Sequence, residues 1–267
     1  MTGSSGLRSF RRAVSLVCGI ASAALPGGLG AAAAPLDTAA QSFKPYVVER
    51  VDQSLAAAQK LRERMAAADL AGAQHAWIAA RAGWESVETI ADEYFPELDA
   101  AIDAWPDAKS GFHAIEARLF GAHRTDAVPQ ADALIADLRV FEQKLRATPL
   151  TAQGVLNGTA RLAYEIGESK ADGGESPFSG NSFAEVGDNI AGIEAAYRAV
   201  FAIALKEADP QSDKAVERVL GALAALVKSS DARSIDRPRL RQCSEDLVLA
   251  LSAAAPAVGL EKPALGD

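Results

Sequence analysis

The sequence predicts an all-α protein built as two four-helix-bundle-like halves, and three observations carry that prediction. Long stretches of the 267 residues place apolar side chains three and four apart, and no stretch alternates convincingly with period two. Alanine dominates while aromatic residues are sparse. Glycine and proline gather at a few boundaries, where they separate the periodic stretches instead of interrupting them.

Helices are expected over 42–66, 69–93, 110–121, 126–147, 151–170, 182–207, 211–229 and 236–254. Thr148-Pro149 separates the fourth from the fifth, because the residue before a proline is pushed out of the helical region. Asp209-Pro210 closes the sixth, and Asp236-Arg237-Pro238 opens the last. Short links between antiparallel helices favour bundles. The boundaries follow as 35–147 for the first bundle, 148–258 for the second and 259–267 for a tail. The fragments AIEARLF and GIEAAYRAVF echo one another across the halves. Two connections are less regular. Residues 94–109 carry Asp99, Asp103 and Asp107, and the Gly- and Ser-rich loop 171–182 carries Glu175.

The N-terminus has the layout of an export signal over residues 1–34. Arg8, Arg11 and Arg12 precede the apolar run AVSLVCGIASAAL, and small residues lead to cleavage near Ala33 or Ala34. The pair Arg11-Arg12 also permits a twin-arginine route. Val17 is too bulky to make Cys18 a good lipidation site. No later segment reaches the roughly 20 apolar residues of a membrane span, so the expected location is the periplasm. Without the signal the chain has 24 basic and 35 acidic residues, a net of −11. Such a balance argues against nucleic acid, whose phosphates need a basic surface, and suits cations. Cys243 alone would remain, so no internal disulfide is expected and stability must come from the apolar core.

The stretch SGFHAIEARLFG, residues 110–121, sets His113 and Glu116 three apart beside an apolar stripe of Phe112, Ile115 and Leu119. Residues so spaced are neighbours on a helix, so an imidazole nitrogen and a carboxylate oxygen can both reach one cation. An alternative is a hydrogen-bonded pair at the core boundary. Glu85 and Glu88 repeat the spacing next to Trp77 and Trp84, where Arg81, one turn earlier, could neutralise them. Asp99 and Asp103 lie just before the His113 helix, within reach of a short return.

These residues carry a resemblance. WESVETIADEYFPELDAAID followed by GFHAIEARLFG, and then YEIGESKADGGESPFSGNSFAEVGDNIAGIEAAYRAVF, resembles the imelysin family, including its EfeO/EfeM-like periplasmic iron-uptake components. The resemblance runs over about residues 37–255. It implies two helical bundles with a metal-binding cleft between or beside them. On the matching motifs it implies metal ligands at His113 and Glu116 (the H-x-x-E motif), Glu85 and Glu88, Asp99, and Glu175 of the second-half loop. Gly173-Gly174-Glu175 stands where EfeO-like relatives often carry two acids, and no cupredoxin-like domain precedes residue 37, as in the short type.

One imidazole among carboxylates suits iron, zinc or manganese far better than copper(I), which prefers thiolate and thioether ligands. Iron is expected first, with zinc second. The expected function is an exported metal-binding protein that delivers iron to an inner-membrane permease. The competing expectation is an imelysin-type metallopeptidase. That chemistry needs an open coordination position and a base near bound water, and the chain lacks the two-histidine helix motif of the common zinc peptidases. No catalytic residue is assigned. His75 and His123 have no surroundings that suggest ligation.

Overall fold

The computed structural model describes residues 29–103, 109–229 and 235–265, with side chains from residue 35 onward. The expected export signal, residues 1–34, lies outside them apart from the backbone of residues 29–34, as does Asp107. The helices among the described residues are α1 (Leu29–Ala66), α2 (Leu70–Glu85), α3 (Glu88–Tyr94), α4 (Pro96–Ile102), α5 (Gly111–Glu116), α6 (Val128–Ala147), α7 (Ala152–Glu168), α8 (Ser182–Ala196), α9 (Ala202–Ala208), α10 (Pro210–Ser229) and α11 (Arg237–Ala254). No strand occurs among them, and none of these helices is long and apolar enough to cross a membrane.

Local chemistry starts several of these helices where the sequence indicates. Asp69, Thr151 and Asp236 each accept a backbone N–H of the first turn, from Gly72, Gly154 and Arg239 at 2.9, 3.1 and 3.0 Å. Caps of this kind contribute about 1 kcal/mol each. Helix α1 begins well before residue 42 and runs through Pro35 and Pro45. Tertiary bonds hold that early part: Gln41 and Lys44 donate to the carbonyls of Leu150 and Thr148, and Asp37 accepts from the amide of Ala152. All three partners lie in the α6–α7 connection or at the start of α7, too distant in sequence for local periodicity to show.

In the first half α1 lies along α2 and α6; in the second, α7 lies along α11, and α10 packs on α11 and α8. Helix α3 crosses onto α7 and α8, and one continuous apolar core draws on both sides of Thr148-Pro149. Trp84 meets Phe141 edge-on at 5.1 Å, and Phe95 meets the same ring at 5.1 Å.

Three departures from the expected elements determine which side chains meet between the halves. The single helix expected over 69–93 is broken at Ser86 and Val87. Ser86 Oγ donates back to the Ala82 carbonyl at 2.8 Å, a bond that bends helices. Helix α8 presses on the break so closely that a β-carbon at Gly192 would stand 2.4 Å from the Ser86 carbonyl oxygen. Second, residues 94–109 contain an ordered helix, α4, opened by Pro96 at its first turn, where a missing N–H costs nothing. Gly111, at φ +73°, opens α5 packed against the end of α4, where a β-carbon would stand 2.5 Å from the Ile102 carbonyl oxygen. Third, α5 and α8 each continue into a π-helical turn, Ala117–Gly121 and Tyr197–Phe201. These turns fall in the two fragments that echo one another in sequence.

Candidate metal centre

The break after α2 and the turn into α5 bring acids from six segments to one place between the halves. Arg81 and Glu85 lie one turn apart at the end of α2, and both are fully buried. Glu88 opens α3, and Asp103 caps the end of α4. His113 and Glu116 come from α5, Lys170 from the short 3-10 turn Lys170–Asp172, Glu175 from the loop after it, and Glu185 and Asn189 from α8.

Asp103 is the hub. Its Oδ1 is bonded to Arg81 and lies 3.2 Å from His113 Nε2, while its Oδ2 accepts from Trp84 Nε1 at 3.3 Å. One ligand atom from each of Asp103, His113 and Glu175 lies within 4.8 Å of the others, and the same holds for Glu85, Glu88 and Asp103. Lys170 Nζ reaches Glu88 at 2.7 Å, Glu85 at 3.1 Å and Glu175 at 3.6 Å. Asn189 Nδ2 donates to the same Glu85 and Glu88 carboxylates at 2.7 and 2.6 Å, and to the Glu85 carbonyl freed by the helix break at 3.0 Å. Arg81 is also paired with Glu85, with Glu185 at 3.3 Å and with Glu175 at 3.8 Å, and Ser176 Oγ donates to Glu185 at 2.8 Å.

The charges do not cancel. Six carboxylates (Glu85, Glu88, Asp103, Glu116, Glu175 and Glu185) face three cations, Arg81, Lys170 and the His113 imidazolium. The excess of three negative charges is buried, where an unpaired carboxylate is costly. Protons take up part of it. Burial, followed by repulsion from Glu85, pushes the Glu88 carboxyl well above the usual range, and burial raises Glu175 against the pull of Lys170. Burial also acts on Asp103 and Glu85, but Arg81 most strongly holds both below the ordinary carboxylate value. For His113 burial opposes the charge, and the adjacent Asp103 and Glu116 overcome it, raising the imidazole to about 9.

The six residues predicted from sequence divide in three ways. Glu85, Glu88, His113 and Glu175 each join one of the two groups of ligand atoms that share Asp103. Glu116 is beside them but does not face the same point: its Oε2 is 3.2 Å from His113 Nδ1, and its Oε1 accepts from the amides of Phe178 and Ser179 and from the Ser179 hydroxyl at 3.1, 2.8 and 2.8 Å. His113 and Glu116 thus face each other through Nδ1 and Oε2. Glu116 orients the ring and ties down the loop, leaving Nε2 as the nitrogen that faces the acids. Asp99 joins neither group of converging ligand atoms. It lies one helical turn before Asp103 on α4, and burial with repulsion from Asp103 and Asp92 raises its carboxyl to about 8. His75 and His123 are exposed.

Asp103, Lys170, Glu185 and Asn189 are not among the predicted ligands. Asp103 is visible in the sequence as the last acid of the LDAAID segment, and Asn189 and Glu185 lie in the FAEVGDN stretch. A lone lysine after an amphipathic helix gives no such signal. His113 Nε2 and Glu85 Oε1 complete no hydrogen bond of normal geometry although both are buried. Both nonetheless have a charged neighbour, Asp103 Oδ1 at 3.2 Å from Nε2 and Arg81 beside Oε1, and the set of one nitrogen among carboxylate oxygens suits a hard to borderline metal.

Comparison with known proteins agrees with this architecture. The family model described as Imelysin matches residues 39–110 and 107–258. The chain is 32% identical over 176 residues to "Iron uptake system component EfeM" of Pseudomonas syringae pv. syringae, covering 61% of each protein. It is 30% identical over 162 residues to "Iron uptake system component EfeO" of Yersinia pseudotuberculosis, covering 57% of this chain and 43% of that one. The chain thus spans less than two thirds of the length of either relative. The crystal structure of an iron-regulated protein A precursor from Parabacteroides distasonis superposes with a TM-score of 0.66 over 84% of this chain and 94% of the other, at 16% identity, a likeness of fold. Matched by the family model along nearly all of its helical region, the chain belongs to the imelysin family.

Proposed function

We propose that this chain binds an iron ion as cargo in the periplasm and passes it to an inner-membrane permease, with zinc the other cation its donors would accept. The observation that carries this reading is the under-neutralised cluster itself: His113 with Glu175, and Glu85 with Glu88, form two groups of converging ligand atoms that share Asp103, and the acids of the cluster outnumber Arg81, Lys170 and His113. Several carboxylates with one imidazole favour ferric or ferrous iron over softer ions. Similarity to EfeM and EfeO, named as iron uptake components, supports the same cargo, and the signal-like residues 1–34 support export. In this reading Glu116 does not ligate. Its bond to Nδ1 fixes the ring and raises the basicity of the nitrogen opposite, as carboxylates behind ligating histidines do.

The burial of the donors favours an ion over a peptide as the natural occupant. The His113 and Glu85 side chains have no exposed surface, and those of Asp103 and Glu88 are 7% and 11% exposed. A hydrolase would have to admit a polypeptide and a water to the metal.

Calorimetric titration of metal-free protein with ferric, ferrous and zinc ions tests the proposal. Wild type should take up one iron per chain, and His113→Ala should lose about 100-fold or more in affinity, at least the loss seen on removing an outer partner. Because His113 is protonated at neutral pH, the metal must displace that proton, so affinity should climb as pH rises toward about 9. An absence of uptake by wild type would reject the reading, and metal-dependent cleavage of a protein substrate would favour the peptidase.

A further inference from the structure

Lys170 occupies the place a cargo cation would take. Its ammonium touches Glu88, Glu85 and Glu175 at 2.7, 3.1 and 3.6 Å, and its side chain is 4% exposed. The oxygens it holds on Glu85 and Glu88 are the Oε2 atoms that Asn189 also engages, so these donors are already filled by protein groups. A metal ion coordinated by the same oxygens would stand against the ammonium at close range, where two positive charges repel strongly in a medium of low dielectric.

The two buried cations differ in their freedom. Arg81 is rigid, fully buried and bound on several sides by Glu85, Asp103 and Glu185. Lys170 is a point charge on a flexible four-carbon stem. It arises from a three-residue turn followed by Gly173, at φ +75°, and by Gly174, around whose β-position the nearest 4 Å is open space. Withdrawing Lys170 therefore disturbs fewer bonds than withdrawing Arg81.

We infer that Lys170 is a tethered counter-cation that fills the carboxylate cage while the cargo is away and must leave it for the metal to enter. The inference rests on the cargo-binding function proposed for this cluster and adds how that site is regulated. Holding the cage in a cation-filled state stabilises the empty protein. It also weakens metal binding by the fraction of molecules in which the lysine has withdrawn, so an ion that is taken up can still be released.

Two measurements test it. In Lys170→Met, similar in length but uncharged, ferric ion supplied as its citrate chelate should bind about 10-fold tighter or more, while the melting temperature of the metal-free protein falls. Those opposite signs distinguish a competitor from a structural lysine, whose removal would weaken binding and stability together. In the wild type, acylation of amines followed by mass spectrometry should find Lys170 protected without metal and reactive once ferric ion is bound, with exposed Lys109 as the unchanged reference. This second measurement stands even if the variant does not fold. Lys170 protected equally in both states, or a folded variant that binds no tighter, overturns the inference and leaves the cargo reading intact. Failure of wild type to bind ferric ion at all overturns both.

Discussion

Two of the places where the protein buries polar groups differ in how their charges are met. In the second half the Tyr197 hydroxyl donates to Asp213 Oδ1 at 2.6 Å, and both side chains are nearly inaccessible. Burial and the bond to Asp213 raise the phenol far above its ordinary value, so the proton stays on Tyr197 and one donor meets one acceptor. Around Asp103, acids from both halves outnumber their counter-ions. The first arrangement is complete in itself and needs no ligand. The second is stable only to the extent that protons, Lys170 or an added cation share the excess charge. Burial alone does not mark a binding site; burial with an unbalanced charge does.

The largest test of that contrast removes the fixed cation. Arg81→Ala leaves Glu85, Asp103 and Glu185 without their main partner and should cost roughly 3–5 kcal/mol of stability, read from urea unfolding. Glu116→Gln is next. It preserves an acceptor for the Phe178 and Ser179 amides but no longer supports a proton on His113 Nδ1, and should lower iron affinity about 10–100-fold, measured by titration against a competing chelator. Breaking the self-contained pair with Tyr197→Phe should cost about 1–2 kcal/mol and leave iron affinity unchanged; a loss of binding there would undo the contrast.

The last test concerns Asp99. Its folded carboxyl, raised to about 8, holds a proton that the unfolded chain releases near pH 4. Between those values the native state binds more protons than the unfolded state, so stability falls as pH rises through the window. Asp99→Asn should remove that loss, with a melting temperature unchanged near pH 4 and higher at pH 8. Equal shifts at both pH values would mean that Asp99 acts through packing instead.

How far the site could be read from sequence depended on the range of each interaction. His113 and Glu116 are legible as a pair because one helical turn sets their separation. The Trp84-Glu85-x-x-Glu88 segment is legible as acids entering a core, because carboxylates beside tryptophans demand a partner. The actual division of labour within the His–Glu pair is not legible. The bonds that turn Glu116 Oε1 away come from Phe178 and Ser179, some sixty residues later. Lys170 is hidden for a similar reason: nothing local tells a lysine near a helix end to turn inward instead of into water. The break at Ser86, which aims Glu85 and frees its carbonyl for Asn189, is pressed upon by Gly192 from the other half.

What the sequence determined by itself is the helical class, the helix starts at Asp69, Thr151 and Asp236, and the stock of one imidazole and several acids near two tryptophans. Those follow from interactions within a turn or two of chain, where spacing and capping chemistry are sufficient. The tertiary structure decided which acids meet, which cations meet them and which way His113 faces. Each of those outcomes depends on burial and on the distance between side chains from remote helices, and in a low-dielectric interior these set the charge balance.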